Sequence, residues 1–272
     1  MRSLEWVALG MTRGIAVLGF GAFVGVIAYV LSRAAGGFSL ELIAPGGTLW
    51  APMVGTVFLV ILSALLAMPV GVAAGIYLGV YARGRVREIL SFLFELLASI
   101  PSIVIGLFGF ALIVWLHRWF AGALPSLILA AFSVAILILP YLIKSTELGI
   151  LQTPREPIRL AYASGATTAQ VVWYVQLPAA RPHIFKGLLL ATARAAEDTA
   201  VILLTGAVAS YGVPRSVFEP FEALPFYIYI TAAEYASQAE LGSLFVAAAM
   251  LVVFAGILVL LAGAIQSRGD AR

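Results

Sequence analysis

The chain has 272 residues, of which 16 are basic and 13 acidic, so that charged residues make up 11% where a soluble domain carries roughly 25%. With 62% hydrophobic residues and a mean hydropathy of +1.07, it holds more apolar surface than one aqueous core can bury and reads as an all-α integral membrane protein. The absence of cysteine excludes a disulfide scaffold and a thiolate metal site, and the basic residues are dispersed among apolar runs, which argues against nucleic acid as a partner despite the net charge of +3.

A membrane-crossing helix needs about 20 apolar residues, so the charge-free runs serve as rulers. Six spans result. The first lies between Arg13 and Arg33, which bracket 19 uncharged residues. The uncharged run 42–82 is too long for one helix, and Pro45, Gly46, Gly47 and Pro52 break its beginning, predicting a second span over about 53–81. The third covers about 89–116 and contains Glu95 and Pro101; the fourth covers about 124–143. The fifth, about 183–210, holds Arg194, Glu197 and Asp198, and the sixth, 241–267, fills the 27 uncharged residues between Glu240 and Arg268. The chain thus divides into 1–50, the first span and an outer loop, and 51–268, the remaining transmembrane domain.

Loops rich in Lys and Arg stay in the cytoplasm. With both termini placed there, Arg2, Arg13, Arg83, Arg85, Arg87, Lys144, Arg155, Arg159, Arg181, Lys186, Arg268 and Arg272 are inside, 12 of the 16 basic residues. Arg33, Arg118 and Arg215 fall outside, and Arg194 lies within a span.

Two connections are longer than connectors need to be, and long loops usually carry function. Residues 144–182, on the cytoplasmic side, predict a short helix ended by Gly165 and a second one capped by Thr167 or Thr168 and halted by Pro178. The pattern fits either an interfacial hairpin without a partner or a docking element. Residues 211–240 face outward and are aromatic, acidic and interrupted by Pro214, Pro220 and Pro225.

A charge inside the membrane faces a partner, a cavity or a pathway. Arg194 is spaced i, i+3 from Glu197 and i, i+4 from Asp198, so either acid can reach it on one helix face. The cluster is either an ion pair joining two helices or the lining of an anion route, in which an Arg offers bidentate recognition to an oxyanion. Glu95 is a second candidate for that route. His117 and His183 flank spans on opposite sides and cannot share a metal. No GxxxxGK[ST] loop, HExxH pair or cysteine nucleophile is present, so an enzyme reading has no support, and ATP binding through a P-loop is excluded.

The cytoplasmic loop resembles the EAA loop of permease subunits in binding-protein-dependent ABC importers: Glu-Ala-Ala, three residues, Gly, nine residues, Ile, one residue, Leu-Pro. Ala161, Gly165, Leu177 and Pro178 match, with Ala163 inside the first gap, and Val175 replaces Ile; Arg159 and Leu160 depart from Glu and the first Ala. Residues 55–82, 99–109 and 223–229 are similar to blocks of the phosphate-type permeases, as are residues 193–206, where Glu197 and Asp198 stand at the family's Gly and Glu. The resemblance implies a type I importer permease of MetI-like architecture in the cytoplasmic (inner) membrane of a prokaryote. It also implies a second homologous permease, two ATPase subunits that bind ATP and Mg, and an extracytoplasmic phosphate-binding protein. This chain itself would hold no cofactor. The 144–182 loop would seat in the ATPase as a coupling helix, and the cargo would be phosphate, or otherwise molybdate, tungstate or sulfate. An ATP-independent channel or carrier built on Arg194, Glu197 and Asp198 is the reading from a different class.

Overall fold

Lipid gives two helices no hydrophobic reason to associate, so their contact depends on how closely the backbones approach. A computed structural model describes the backbone of residues 2–119 and 125–270 and, within these, the side chains of residues 11–119 and 125–265. The described residues form α1 (Arg2–Gly37), α2 (Leu40–Ile43), α3 (Trp50–Ile76), α4 (Gly84–Ser99), α5 (Ser102–His117) and α6 (Leu127–Leu151). They continue as α7 (Arg155–Ala163), α8 (Thr168–Val171), α9 (Leu177–Glu197), α10 (Ala200–Thr205), α11 (Leu224–Glu234) and α12 (Gln238–Asp270). Two turns of π-helix, Tyr77–Tyr81 and Val172–Gln176, prolong α3 and join α8 to α9.

The axis of the bundle is α6, which has buried residues from one end to the other, whereas α1 presents Ile15, Leu18, Phe20 and Phe23 outward as a helix does in lipid. On α3 and the π turn that prolongs it, Gly71, Gly75 and Gly79 repeat every fourth residue and face α6. A Cβ on them would come within 2.7 Å of the Leu142 Cβ, 2.5 Å of the Thr146 Cβ and 2.8 Å of the Ile150 Cγ2. The two backbones therefore meet in parallel through positions that lack side chains. Across α6, the antiparallel α9 uses the same device in both directions: Gly149 lies under His183 and Ala180, and Gly187 lies against Ser145. On α5, Gly106 packs on the Ala200 carbonyl and Gly109 on Ser133 and Thr205. The end of the bundle bearing α7 and α8 is here the lower end, and the end bearing α2, α11 and residues 206–223 the upper. At the upper end the first turn of α6 is closed by that segment, since the Leu127 and Ile128 N–H groups donate to the Glu219 and Val217 carbonyls at 2.9 and 2.8 Å.

The helices differ from the rulers where prolines act. The expected third span, 89–116, is two helices, α4 and α5, bent by 93°. Pro101 has no N–H to give and pushes Ile100 into extended backbone, φ −65° and ψ 127°, so α4 ends there. The expected fifth span, 183–210, begins earlier and ends earlier: α9 runs from Leu177 to Glu197, and α10 follows a break at Asp198 and Thr199. Pro178 does not halt the second short helix. The π turn shifts the hydrogen-bond register just where proline has no donor, and the helix passes through it. Lys144 is not in a loop, because α6 continues to Leu151 before Pro154 stops it. Leu124, the expected start of the fourth span, lies outside the described residues, as do Arg272 and the side chains of Arg2 and Arg268.

Four helical stretches are long and apolar enough to cross a membrane, Met11–Gly37, Trp50–Tyr81, Leu127–Leu151 and Gln238–Ile265, and the bent α4–α5 pair makes a fifth if it is one span. The expected fifth span contains Lys186, Arg194 and Glu197 on α9 and is absent from that set.

Gly75→Ala should lower stability by about 1–3 kcal/mol, the cost of overpacking a tight contact. Gly19→Ala, where a Cβ meets nothing within 4 Å, should be neutral or stabilising. Thermal unfolding of the purified chain in detergent checks this; equal melting temperatures for the two variants would mean that the glycine contact does not hold α3 to α6.

Candidate functional site

The lower end carries the segment singled out by motif. Gly165 ends α7 at φ +85°, and the Gly165 and Ala166 N–H groups donate back to the Tyr162 and Ala161 carbonyls at 3.0 and 3.1 Å, the paired bonds of a Schellman motif. Nothing lies within 4 Å of a Cβ at Gly165, so the demand for glycine is purely one of backbone conformation. Two residues on, Thr167 opens α8 with a capping box, its side chain accepting from the Gln170 N–H while the Gln170 side chain accepts from the Thr167 N–H. Arg159, Ala163 and Gly165 are exposed and Ala161 half-buried. Val175, Leu177 and Pro178 are half-buried at the root, where Leu177 packs on Ile150, Ala180 and Ile184. Leu160, Tyr162, Trp173 and Tyr174 are exposed, the last 78%, so the lower surface offers large side chains with nothing of this chain upon them.

Arg194 sits seven residues above Gly187 on α9, about 10 Å along the axis, which places it level with the middle of α6. Its Nη2 donates to the Asp198 Oδ2 at 3.3 Å. The other carboxylate oxygen of Asp198 accepts from the Val201 N–H at 2.8 Å, closing the first turn of α10. Asp198 therefore occupies the helix break and holds both its sides: its side chain is 2% exposed, against 37% for Arg194. A guanidinium has five donors. One is spent on Asp198, and the open face remains available to an anion. Glu197 is exposed and makes no ion pair with Arg194. Of the two acids that the spacing allowed, the structure selects Asp198.

Glu95 is not brought to Arg194. It lies on α4, exposed, beside a small cleft of about 130 Å³ near the lower end, which Lys144 and Glu147 also line. Glu147 is the residue that sequence reasoning missed. It is 3% exposed on α6 and accepts from Arg87 of α4 at 2.8 Å and from Lys144 at 3.2 Å. The i, i+3 spacing of Lys144 and Glu147 was the available signal. With α6 extended to Leu151, both become helix positions, and the buried carboxylate ties α4 to the bundle.

At the upper end a cleft of about 620 Å³ is lined by Trp50, Tyr211, Glu222 and Tyr227, among others. Glu222 belongs to segment 206–223, outside the spans, and is 8% exposed. Burial pushes its carboxyl above the ordinary value of 4.5, opposed by the backbone N–H groups of Gly212 and Tyr211 that donate to it. Among the described residues no group of His, Asp and Glu is arranged to hold a metal.

Residues 71–269 match the family described as binding-protein-dependent transport system inner membrane component. The chain is similar to the phosphate transport system permease protein PstA of Haemophilus influenzae, 36% identical over 189 residues, covering 69% of this chain and 64% of that one. It is similar to the phosphate transport system permease protein PstA 2 of Mycobacterium bovis, 37% identical over 161 residues, covering 59% and 52%. It therefore spans less than two thirds of the length of either. A probable ABC transporter permease protein of Bacillus subtilis, YqgI, is 27% identical over 243 residues, covering 82% and 81%. Among solved structures, an inward-facing conformation of the MetNI methionine ABC transporter has a chain that superposes with a TM-score of 0.56 at 20% identity, covering 82% of this chain and 95% of that one, which is a likeness of fold.

Because the folded state holds the Glu222 proton more tightly than an unfolded chain, the stability linked to it is complete below pH 4.5 and is lost as pH rises through the raised value. Glu222→Gln keeps an acceptor for the Gly212 N–H and should flatten the melting temperature across pH 4 to 8 (about the range over which such a carboxyl titrates). A wild-type profile that rises with pH in a manner dependent on Glu222 would reverse this assignment.

Proposed function

The chain belongs to the family of binding-protein-dependent transport system inner membrane components, and from that premise we propose that it is the permease subunit of an ATP-driven importer of inorganic phosphate. It is a multi-pass membrane transport component rather than an enzyme. In the proposed arrangement six spans cross the cytoplasmic (inner) membrane of a prokaryote, namely α1, α3, α4 with α5, α6, α9 with α10, and α12, with both termini and the lower end in the cytoplasm. The observation that carries the reading is Arg194: a mid-bundle guanidinium, paired on one side with a buried carboxylate and open on the other. A mobile anion meets there a guanidinium whose charge Asp198 partly offsets and whose other face is open.

The surface of α7 and α8 is the proposed seat of one of two ATPase subunits, which bind the ATP and Mg that this chain does not. A second homologous permease completes the route, and an extracytoplasmic phosphate-binding protein delivers the cargo to the upper end. Arg159 stands where the EAA loop has Glu, so the ATPase that receives it must present an acid or leave it in water. The names of the PstA relatives support phosphate as the cargo.

Tagged chain drawn from membranes in mild detergent should bring an ATPase and a second permease with it, and the complex in vesicles with its binding protein should take up phosphate only when ATP is supplied. Preferential uptake of molybdate, tungstate or sulfate in competition would move the cargo, and uptake without ATP by the chain alone would end the importer reading. Arg194→Gln should abolish uptake or reduce it at least tenfold (about 1.4 kcal/mol or more) with assembly intact; normal uptake would leave Arg194 a structural ion pair. Gly165→Ala, forced into left-handed backbone at about 1–2 kcal/mol, should lower the phosphate moved per ATP hydrolysed, and an unchanged ratio would remove the α7–α8 turn from coupling.

A further inference from the structure

A cation outside the transport route is held in place without a counter-ion. Arg33 stands on the last turns of α1, at the upper end of the 19-residue uncharged run that begins after Arg13. Its guanidinium carbon lies 5.8 Å from the ring centre of Tyr29 and 5.6 Å from that of Phe245 on α12, and the two rings meet edge to face at 5.9 Å. Two aromatic faces fix the group in position, and such contacts leave its N–H donors free for oxygen acceptors. Among the described residues no carboxylate is within salt-bridge distance of Arg33. Glu240, in the first turn of α12, accepts from the Ala236 N–H at 2.8 Å.

Beside Arg33 a groove of about 290 Å³ runs along the seam of α1 and α12. Its floor is backbone. Gly37 and Gly242 approach so closely that a Cβ on Gly37 would lie 3.1 Å from the Gly242 Cα, while a Cβ on Gly36 would meet nothing within 4 Å. Ser32 and Gln238 add polar side chains at the rim, and Gln238 begins a 33-residue helix whose positive end faces the same space. Below the groove, α1 offers apolar side chains all round, the surface that acyl chains cover.

We propose that this groove binds the phosphate-bearing headgroup of an anionic membrane lipid, with Arg33 as the group that contacts the phosphate. The anion that is abundant where a span meets the membrane surface is the lipid phosphate, and the apolar flank beneath the groove suits a ligand whose anion is attached to hydrocarbon. A free phosphate ion has the same headgroup chemistry without that flank. The site is independent of Arg194 and would exist whatever anion the complex carries.

The test uses the complete complex, purified in mild detergent and stripped of lipid by washing. Native mass spectrometry follows binding of dioctanoyl phosphatidylglycerol, with dioctanoylglycerol as the control that lacks phosphate. The wild type should bind the phosphatidylglycerol and prefer it to the control. Arg33→Gln and, separately, Gly36→Leu, which fills the groove without touching the charge, should each weaken that binding at least tenfold. A tenfold excess of inorganic phosphate should leave it unchanged. Unaltered lipid affinity in both variants overturns the proposal, as does one-for-one displacement of the lipid by inorganic phosphate, which would make the occupant a free ion. Loss of the second permease from the Arg33→Gln complex also overturns it, since Arg33 would then be a contact between subunits.

Discussion

Everything in this bundle hangs on how closely other helices approach α6. In water, apolar side chains drive helices together and the fit is refined afterwards; in lipid the fit is the attraction, because the tails offer an equally apolar alternative. The stripe Gly71, Gly75 and Gly79 on α3 and its π turn, and the exchange of Gly149 and Gly187 between α6 and α9, bring backbones within reach of each other's side chains on two sides of one helix. That close packing fixes register as well as contact. The height of Arg194 in the bundle is decided by Gly187 resting on Ser145, two turns below it.

The ionic groups are placed where the helices stop or turn. Asp198 stands at the gap between α9 and α10, where a carboxylate can satisfy a backbone N–H that the break has orphaned and still hold a guanidinium. Glu147 stands near the foot of α6, where two cations reach it from different directions. A lone carboxylate so deeply buried would be costly; with Arg87 and Lys144 it becomes the tie that keeps α4 against the bundle. The two sites divide the labour of charge: Glu147 closes a structure on itself, and the Asp198 site leaves one face of its cation open.

Composition alone revealed that the chain is a helical membrane protein, because the count of charges against apolar residues does not depend on geometry. The turn at Gly165 and the cap at Thr167 were equally legible, since both are local and each residue type is chosen for a backbone conformation that only its own neighbourhood sets. The bend at Pro101 was not read, although the proline was seen, because a ruler of apolar length carries no direction. Pro178 misled for the opposite reason: a π turn, which depends on packing around Val171 and Val172, made room for it. Glu147 and Glu222 escaped because the spacing to Lys144 was hidden in an expected loop and Glu222 sits on a segment that folds inward, and nothing in the one-dimensional spacing joins Arg87 to Glu147. Glu197 looked as promising as Asp198 by spacing, and the exposure of the one against the burial of the other sets them apart, whereas Glu95 lies on another helix near the lower end.

The π turn at Val172–Gln176 also keeps the helix continuous. Had Pro178 ended a helix, a break would separate the lower surface from the middle of the bundle. Instead α8, the π turn and α9 run as one continuous helical stretch from Thr168 to Glu197, with Pro182 inside it, 30 residues counted from its two ends and about 45 Å long at an α-helical rise. The first break in that helix above the lower surface is the gap that Asp198 bridges. The lower surface and the guanidinium of Arg194 therefore stand near the two ends of the same continuous helical stretch.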